Sequence, residues 1–140
     1  MRLEAIPAAR LPYQWETIGP TRARAIELDP ERDAMHVLGQ GLAGELQFWR
    51  VGGSLAGFLV TQVCRVPGSL KRALWVIYVA GMGGSIRDKR ELMELVELQA
   101  LKQRCGEVRF EGRDWRFVFP DYSANRSADG RWHFRRTLCK

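Results

Sequence analysis

A run of glycines, "AGMGGS" from Ala80 to Ser85, joins a strongly apolar stretch to one with helical spacing. Glycine lets backbone N–H groups come close to a ligand. At a helix N-terminus the unpaired donors and the macrodipole favour an anion, so the turn is a candidate phosphate cradle. The same residues serve a sharp turn that binds nothing. A second group of interest lies further on, where Trp115, Phe117, Phe119, Tyr122, Trp132 and Phe134 interleave with Arg113, Arg116, Arg131, Arg135 and Arg136. Aromatic faces stack bases and arginines hold phosphates, which makes Arg131, Arg135 and Arg136 the candidate contacts to nucleic acid. No nucleic-acid motif accompanies them, and the same residue types anchor protein interfaces, so protein–protein contact is the stronger expectation.

Other chemistry has little to stand on. His36 and His133 are far apart, with no serine or cysteine motif around them, so neither a nucleophile triad nor a metal site is expected. Cys64, Cys105 and Cys139 are odd in number and widely spaced, which fits small buried or bystander thiols rather than a disulfide framework or a C-x-x-C site.

The chain has 140 residues, of which 46% are hydrophobic, and this suits one domain spanning 1–140 with a single core. The first residues, 1–11, have no periodicity and read as an N-terminal arm. The net charge of +6 is concentrated in the last third, from Arg104 onward, which favours polyanionic partners or an anionic cofactor. No window approaches the roughly 20 apolar residues of a membrane span, and "MRLEAIPAARLPYQW" lacks the apolar centre of a signal peptide; a soluble cytosolic protein is expected.

The elements that position these residues follow from punctuation and period. Between Pro12 and Gly44, "GPTRARAIEL" and "LDPERDAMHVLGQG" carry the proline and aspartate starts and the glycine stop of two short helices. "ELQFWRV", "LAGFLVTQVCRV" and "ALWVIYVA", separated by "GGS" and "PGS", predict an antiparallel meander whose last strand is the most buried. After the glycines, Ser85 and Asp88 have capping-box spacing, and a helix runs to about Arg104. Its apolar residues spread widely enough for it to be covered on more than one side. "CGEVRFEG" restarts a strand, giving a β-α-β unit with parallel strands. "GRDWRFVFPDYS" reads as a short helix or turn, and "GRWHFRRTL" as a last strand.

This order, a mixed α/β (α+β) arrangement of two short helices, meander, glycine turn, long helix, parallel strand and C-terminal strand, resembles the GNAT acyltransferase superfamily from about Pro12 to Leu138. The resemblance implies that the strands on either side of the long helix splay apart around a pantetheine arm. It places the pyrophosphate of acetyl-CoA on Gly81, Met82, Gly83, Gly84, Ser85 and Ile86. It also implies Glu111 as the base that deprotonates an attacking amine and Tyr122 as the acid that reprotonates the thiolate. The family signature Arg/Gln-x-x-Gly-x-Gly/Ala is met in its glycines, but Tyr78 stands where Arg or Gln belongs. Two longer stretches, "GELQFWRVGGSLAGFLVTQV" and "GEVRFEGRDWRFVFPDY", resemble small GNAT-like proteins encoded among the virion genes of tailed bacteriophages. That resemblance implies a virion structural or assembly component with a degenerate acyl-CoA site, made in the host cytoplasm and incorporated into a particle, with other virion proteins as partners. An acetyl-CoA-dependent N-acetyltransferase is the alternative.

Overall fold

The computed structural model describes residues 2–10, 39–40, 43–52, 57–66, 68–80 and 85–138, the side chains of Tyr78 and Ala80 excepted. Most of the two helices expected before Gly44, including His36, lies outside the described residues, as do Gly81 to Gly84 and Cys139. The described elements are β1 (Arg2–Ile6), β2 (Gln47–Gly52), β3 (Phe58–Arg65), β4 (Arg72–Ala80), α1 (Ile86–Lys102), β5 (Glu107–Gly112), β6 (Ser123–Arg126) and β7 (Trp132–Thr137). The seven strands form one mixed sheet in the order β1-β2-β3-β4-β5-β7-β6. By its contacts the chain divides into two compact units, Met1–Gln62 with Tyr78–Gly83, and Val63–Ile77 with Gly84–Lys140.

In the first unit, residues 2–6 of the expected arm are a strand. β1 pairs antiparallel with β2 from Arg2↔Gly52 to Ile6↔Phe48. As an edge strand it has one neighbour and buries only Ile6, which is why its sequence shows no alternation. β2 and β3 pair from Gln47↔Thr61 to Arg50↔Phe58. Phe48, Trp49, Val51, Phe58, Leu59 and Val60 are buried there, a near-continuous apolar run of the kind that strands covered on both faces require. Thr61, fully buried, has its hydroxyl satisfied twice: it accepts from Trp49 Nε1 and donates to Gln47 Oε1, both at 2.9 Å.

The second unit holds the β-α-β element. α1 begins where the capping spacing predicts, with the Ser85 hydroxyl accepting from the Asp88 N–H at 3.2 Å. It ends with Arg104 in the left-handed region at φ 60° and the Cys105 N–H returned to the Ala100 carbonyl. Leu92, Met93, Val96 and Ala100 form the buried arc, whereas Leu98 and Leu101 stay exposed, so α1 is covered on one side and not on several. β4 and β5 pair in parallel from Ala73↔Glu107 to Val76↔Phe110, while β4 itself continues to Ala80. Burial follows the ladder: Ala73, Leu74 and Val76 are buried and Val79 is 44% exposed, so the expected most-buried strand is buried only where β5 flanks it. β5 pairs antiparallel with β7 from Glu107↔Thr137 to Gly112↔Trp132, and β6, a polar edge strand absent from the sequence reading, pairs with β7. The segment between Gly112 and Tyr122 is a series of turns, with the Val118 and Phe119 N–H groups both on the Trp115 carbonyl.

An aromatic cluster fills this unit's centre. Phe110 stacks on Phe134 at 4.8 Å between ring centroids and meets Phe119 at 5.4 Å and Tyr122 at 5.3 Å. Phe134 is 1% exposed. Phe134→Ala therefore lowers stability by about 3–5 kcal/mol, read by chemical denaturation as a shifted midpoint at constant slope.

Candidate functional site

On the inner arc of α1, one turn beyond Met93, stands Glu97, whose side chain is only 14% exposed. A carboxylate so far withdrawn from water needs donors. Tyr122 supplies one, its hydroxyl donating to Oε2 at 2.9 Å. Arg136 on β7 supplies the others, with Nη1 3.0 Å from Oε1 and 3.1 Å from Oε2. The turn segment that carries Tyr122 is fastened to α1 from its other end by Arg90, whose Nε donates to the Val118 carbonyl at 2.8 Å. These groups line a small cavity of about 170 Å³ rimmed by Glu94 and Asp121. Burial, followed by the Glu97 charge and hydrogen bond, pushes the Tyr122 hydroxyl far above the ordinary tyrosine range, so it stays protonated and acts as a donor to Glu97.

Glu111 is placed elsewhere. On β5 it lies opposite His133, with Oε1 3.1 Å from His133 Nδ1 and Oε2 3.9 Å from Arg131 Nη1. Because successive residues of a strand point to opposite faces, and Tyr122 packs on Phe110, Glu111 projects from the face of β5 away from Tyr122. The structure does not bring these two candidates together. Beside Glu111 on that face, Glu107 is 5% exposed and takes Arg109 Nη2 at 2.7 Å, with Arg135 Nε at 3.9 Å. The Arg109 guanidinium in turn lies 5.8 Å from the Trp75 ring centre. Arg131, Arg135 and Arg136, the candidate nucleic-acid contacts, thus each face a carboxylate. Arg116 and Arg126 lie over the Trp132 ring, at 4.1 and 5.9 Å from its centre.

Of the candidate pyrophosphate residues, Ser85 and Ile86 are described. Ser85 caps α1 and Ile86 is 37% exposed, so the helix start is accessible. Its first N–H groups lack intrahelical acceptors, as in any α-helix, and suit an anion. Asp88 in the first turn already places a carboxylate at the positive end of the helix dipole. Arg87 and Lys89 flank that carboxylate, so the described start of α1 is net positive in side-chain charge, and its charge does not count against a pyrophosphate. Burial raises the Cys64 and Cys105 thiols above their ordinary range, which suits inert side chains. Among the described residues no cluster of three metal-binding side chains occurs, and no helix is long and apolar enough to cross a membrane.

Sequence reasoning missed Glu97 and Arg90. The usable signal was position: Glu97 follows Met93 by four and precedes Ala100 by three, which puts a carboxylate on the apolar arc of the helix.

No protein-family model matches the chain and no curated protein matches it. Solved structures do. An aminoglycoside 6'-acetyltransferase of type Ii superposes with a TM-score of 0.70 at 8% identity, over 100% of this chain and 99% of that one. The NatC complex bound to Gag peptide and CoA gives 0.63 at 13% identity, over 99% and 100%. An acyl-CoA N-acyltransferase from Pseudomonas aeruginosa gives 0.62 at 13%, over 98% and 100%. The chain has the GNAT acyltransferase fold.

The Tyr122 environment sets a pH dependence. Its proton is held more tightly in the folded state, so its contribution is complete below the ordinary tyrosine pKa of about 10 and is lost as pH rises beyond it, when the unfolded chain ionises first. Stability measured by denaturation falls between about pH 9.5 and 11, and less steeply in Tyr122→Phe.

Proposed function

We propose that this chain uses the GNAT fold as a protein–protein assembly part, of the kind encoded among the virion genes of tailed bacteriophages, with an acyl-CoA site too altered to sustain transfer. One observation carries the reading. The two side chains available for proton transfer, Glu111 and Tyr122, are held in separate internal pairs on opposite faces of β5. A general acid works best with a pKa near the operating pH, and Tyr122 is pushed the other way. Tyr78 in place of the signature Arg or Gln supports the same conclusion. For contacts with other particle proteins the chain offers Phe117, 78% exposed between Arg116 and Val118, an aromatic of the type that fills a partner's pocket. The setting is then the host cytoplasm followed by the particle.

A second reading, an N-acetyltransferase using acetyl-CoA, is favoured by the early end of the parallel ladder. β4 continues four residues beyond its last pair with β5 and leads directly to Gly81, Met82, Gly83, Gly84, Ser85 and Ile86. Acetyl-CoA held there would supply an activated acyl group, with Glu111 receiving the amine proton and Tyr122 giving one to the thiolate. Nucleic-acid binding through Arg131, Arg135 and Arg136 would first have to displace their carboxylates.

Calorimetric titration with acetyl-CoA separates the two main readings. The assembly reading expects no saturable heat up to about 1 mM ligand. Binding near 1 µM that Gly83→Asp abolishes would overturn it.

A further inference from the structure

A second cavity, of about 380 Å³, lies in the C-terminal unit near the amino ends of β4 and β5 and is lined by Ser69, Lys71, Arg72, Arg104, Thr137 and Leu138. Its chemistry is one-sided. Every polar side chain in the lining is a cation or a hydroxyl, and among the described residues no carboxylate pairs with Lys71, Arg72 or Arg104. This contrasts with Arg135 and Arg136, next along β7, each of which faces an acidic partner. The three cations come from three different places: the turn before β4, the start of β4, and the residue after the α1 cap. Arg104 is held there by its left-handed backbone at φ 60°, a conformation that costs a non-glycine residue and that the helix termination imposes. The carboxyl end of α1 would repel an anion through its open carbonyls, but the Gln99, Ala100 and Leu101 oxygens already accept from the Gln103, Cys105 and Arg104 N–H groups.

We infer that this cavity binds a small phosphate-bearing anion, with the guanidinium and ammonium groups on its oxygens and the Ser69 and Thr137 hydroxyls as further donors. Guanidinium forks match phosphate geometry, and Lys71, Arg72 and Arg104 are exposed, so an anion can reach all three. A nucleic-acid strand is the poorer fit, because Arg135 and Arg136, which continue from the cavity along β7, face Glu107 and Glu97. The site is separate from Ser85 and Ile86, which stand at the start of α1, where this cavity lies beyond its other end.

The test is an amide NMR titration of the full chain with inorganic pyrophosphate at low salt. Binding shifts the Gly106 and Leu138 amides saturably, at about 1 mM or tighter, and the triple change Lys71→Gln, Arg72→Gln, Arg104→Asn weakens it at least about tenfold with the thermal midpoint little changed. Asparagine at 104 keeps a residue that tolerates the left-handed region. Shifts confined to Ser85 to Asp88, no saturation, or an affinity indifferent to the triple change would overturn the assignment. So would a single-stranded twelve-mer that binds these amides while pyrophosphate does not.

Discussion

Three elements of the C-terminal unit meet on one carboxylate, that of Glu97. Glu97 is almost enclosed, and an ionised carboxyl in that setting is tolerated only if its oxygens are met by donors of good geometry. Tyr122 and Arg136 meet them from two directions. The consequence is mechanical as well as electrostatic. Helix α1, the turn segment leading to Tyr122, and strand β7 converge on one group, and the stacked ring of Phe110 lies against the same tyrosine. Removing either donor leaves a buried charge short of partners, which costs more than the hydrogen bond itself contributes.

That arrangement bears directly on what the fold can do here. In a proton-transfer role Tyr122 would have to release and regain a proton, yet its surroundings bind the proton tightly and its hydroxyl is aimed at Glu97. Glu111, which reads equally well as a base from its place at the end of a strand, is tied to His133 and Arg131 on the other face of β5. In this structure both residues link elements, Tyr122 to α1 and Glu111 to β7. The fold itself is shared with acetyltransferase structures at 8% to 13% identity, and a fold of this kind is less demanding of sequence than a positioned acid and base.

How far the sequence disclosed this varied with the physics involved. β2, β3 and β4, helix α1 with its Ser85 cap, β5 and β7 were legible because burial imposes a period and turns impose glycine or a capping residue. β1 and β6 were not. An edge strand has one neighbour, so Arg2–Ile6 buries a single side chain and Ser123–Arg126 buries none, and neither leaves a pattern to detect. The stretch from Gly112 to Tyr122 was ambiguous between helix and turn, and the aromatic packing on Phe110 decided it. At the candidate site, residue types could be nominated but not their partners. Nothing in "EGRDW" or "PDYS" indicates that Glu111 meets His133 or that Tyr122 meets Glu97, since those pairings depend on the β5–β7 register and on the face of α1 that turns inward.

The coupling between Glu97 and Tyr122 decides the structural role of both residues. A double-mutant cycle of Glu97→Gln and Tyr122→Phe, read by chemical denaturation at neutral pH, measures it directly. A coupling of about 1 kcal/mol or more, in the range found for residues in one buried hydrogen-bond network, is the predicted result. Additive effects within about 0.3 kcal/mol would mean that the tyrosine hydroxyl is free of Glu97 in solution, and would contradict the structural role assigned to it here.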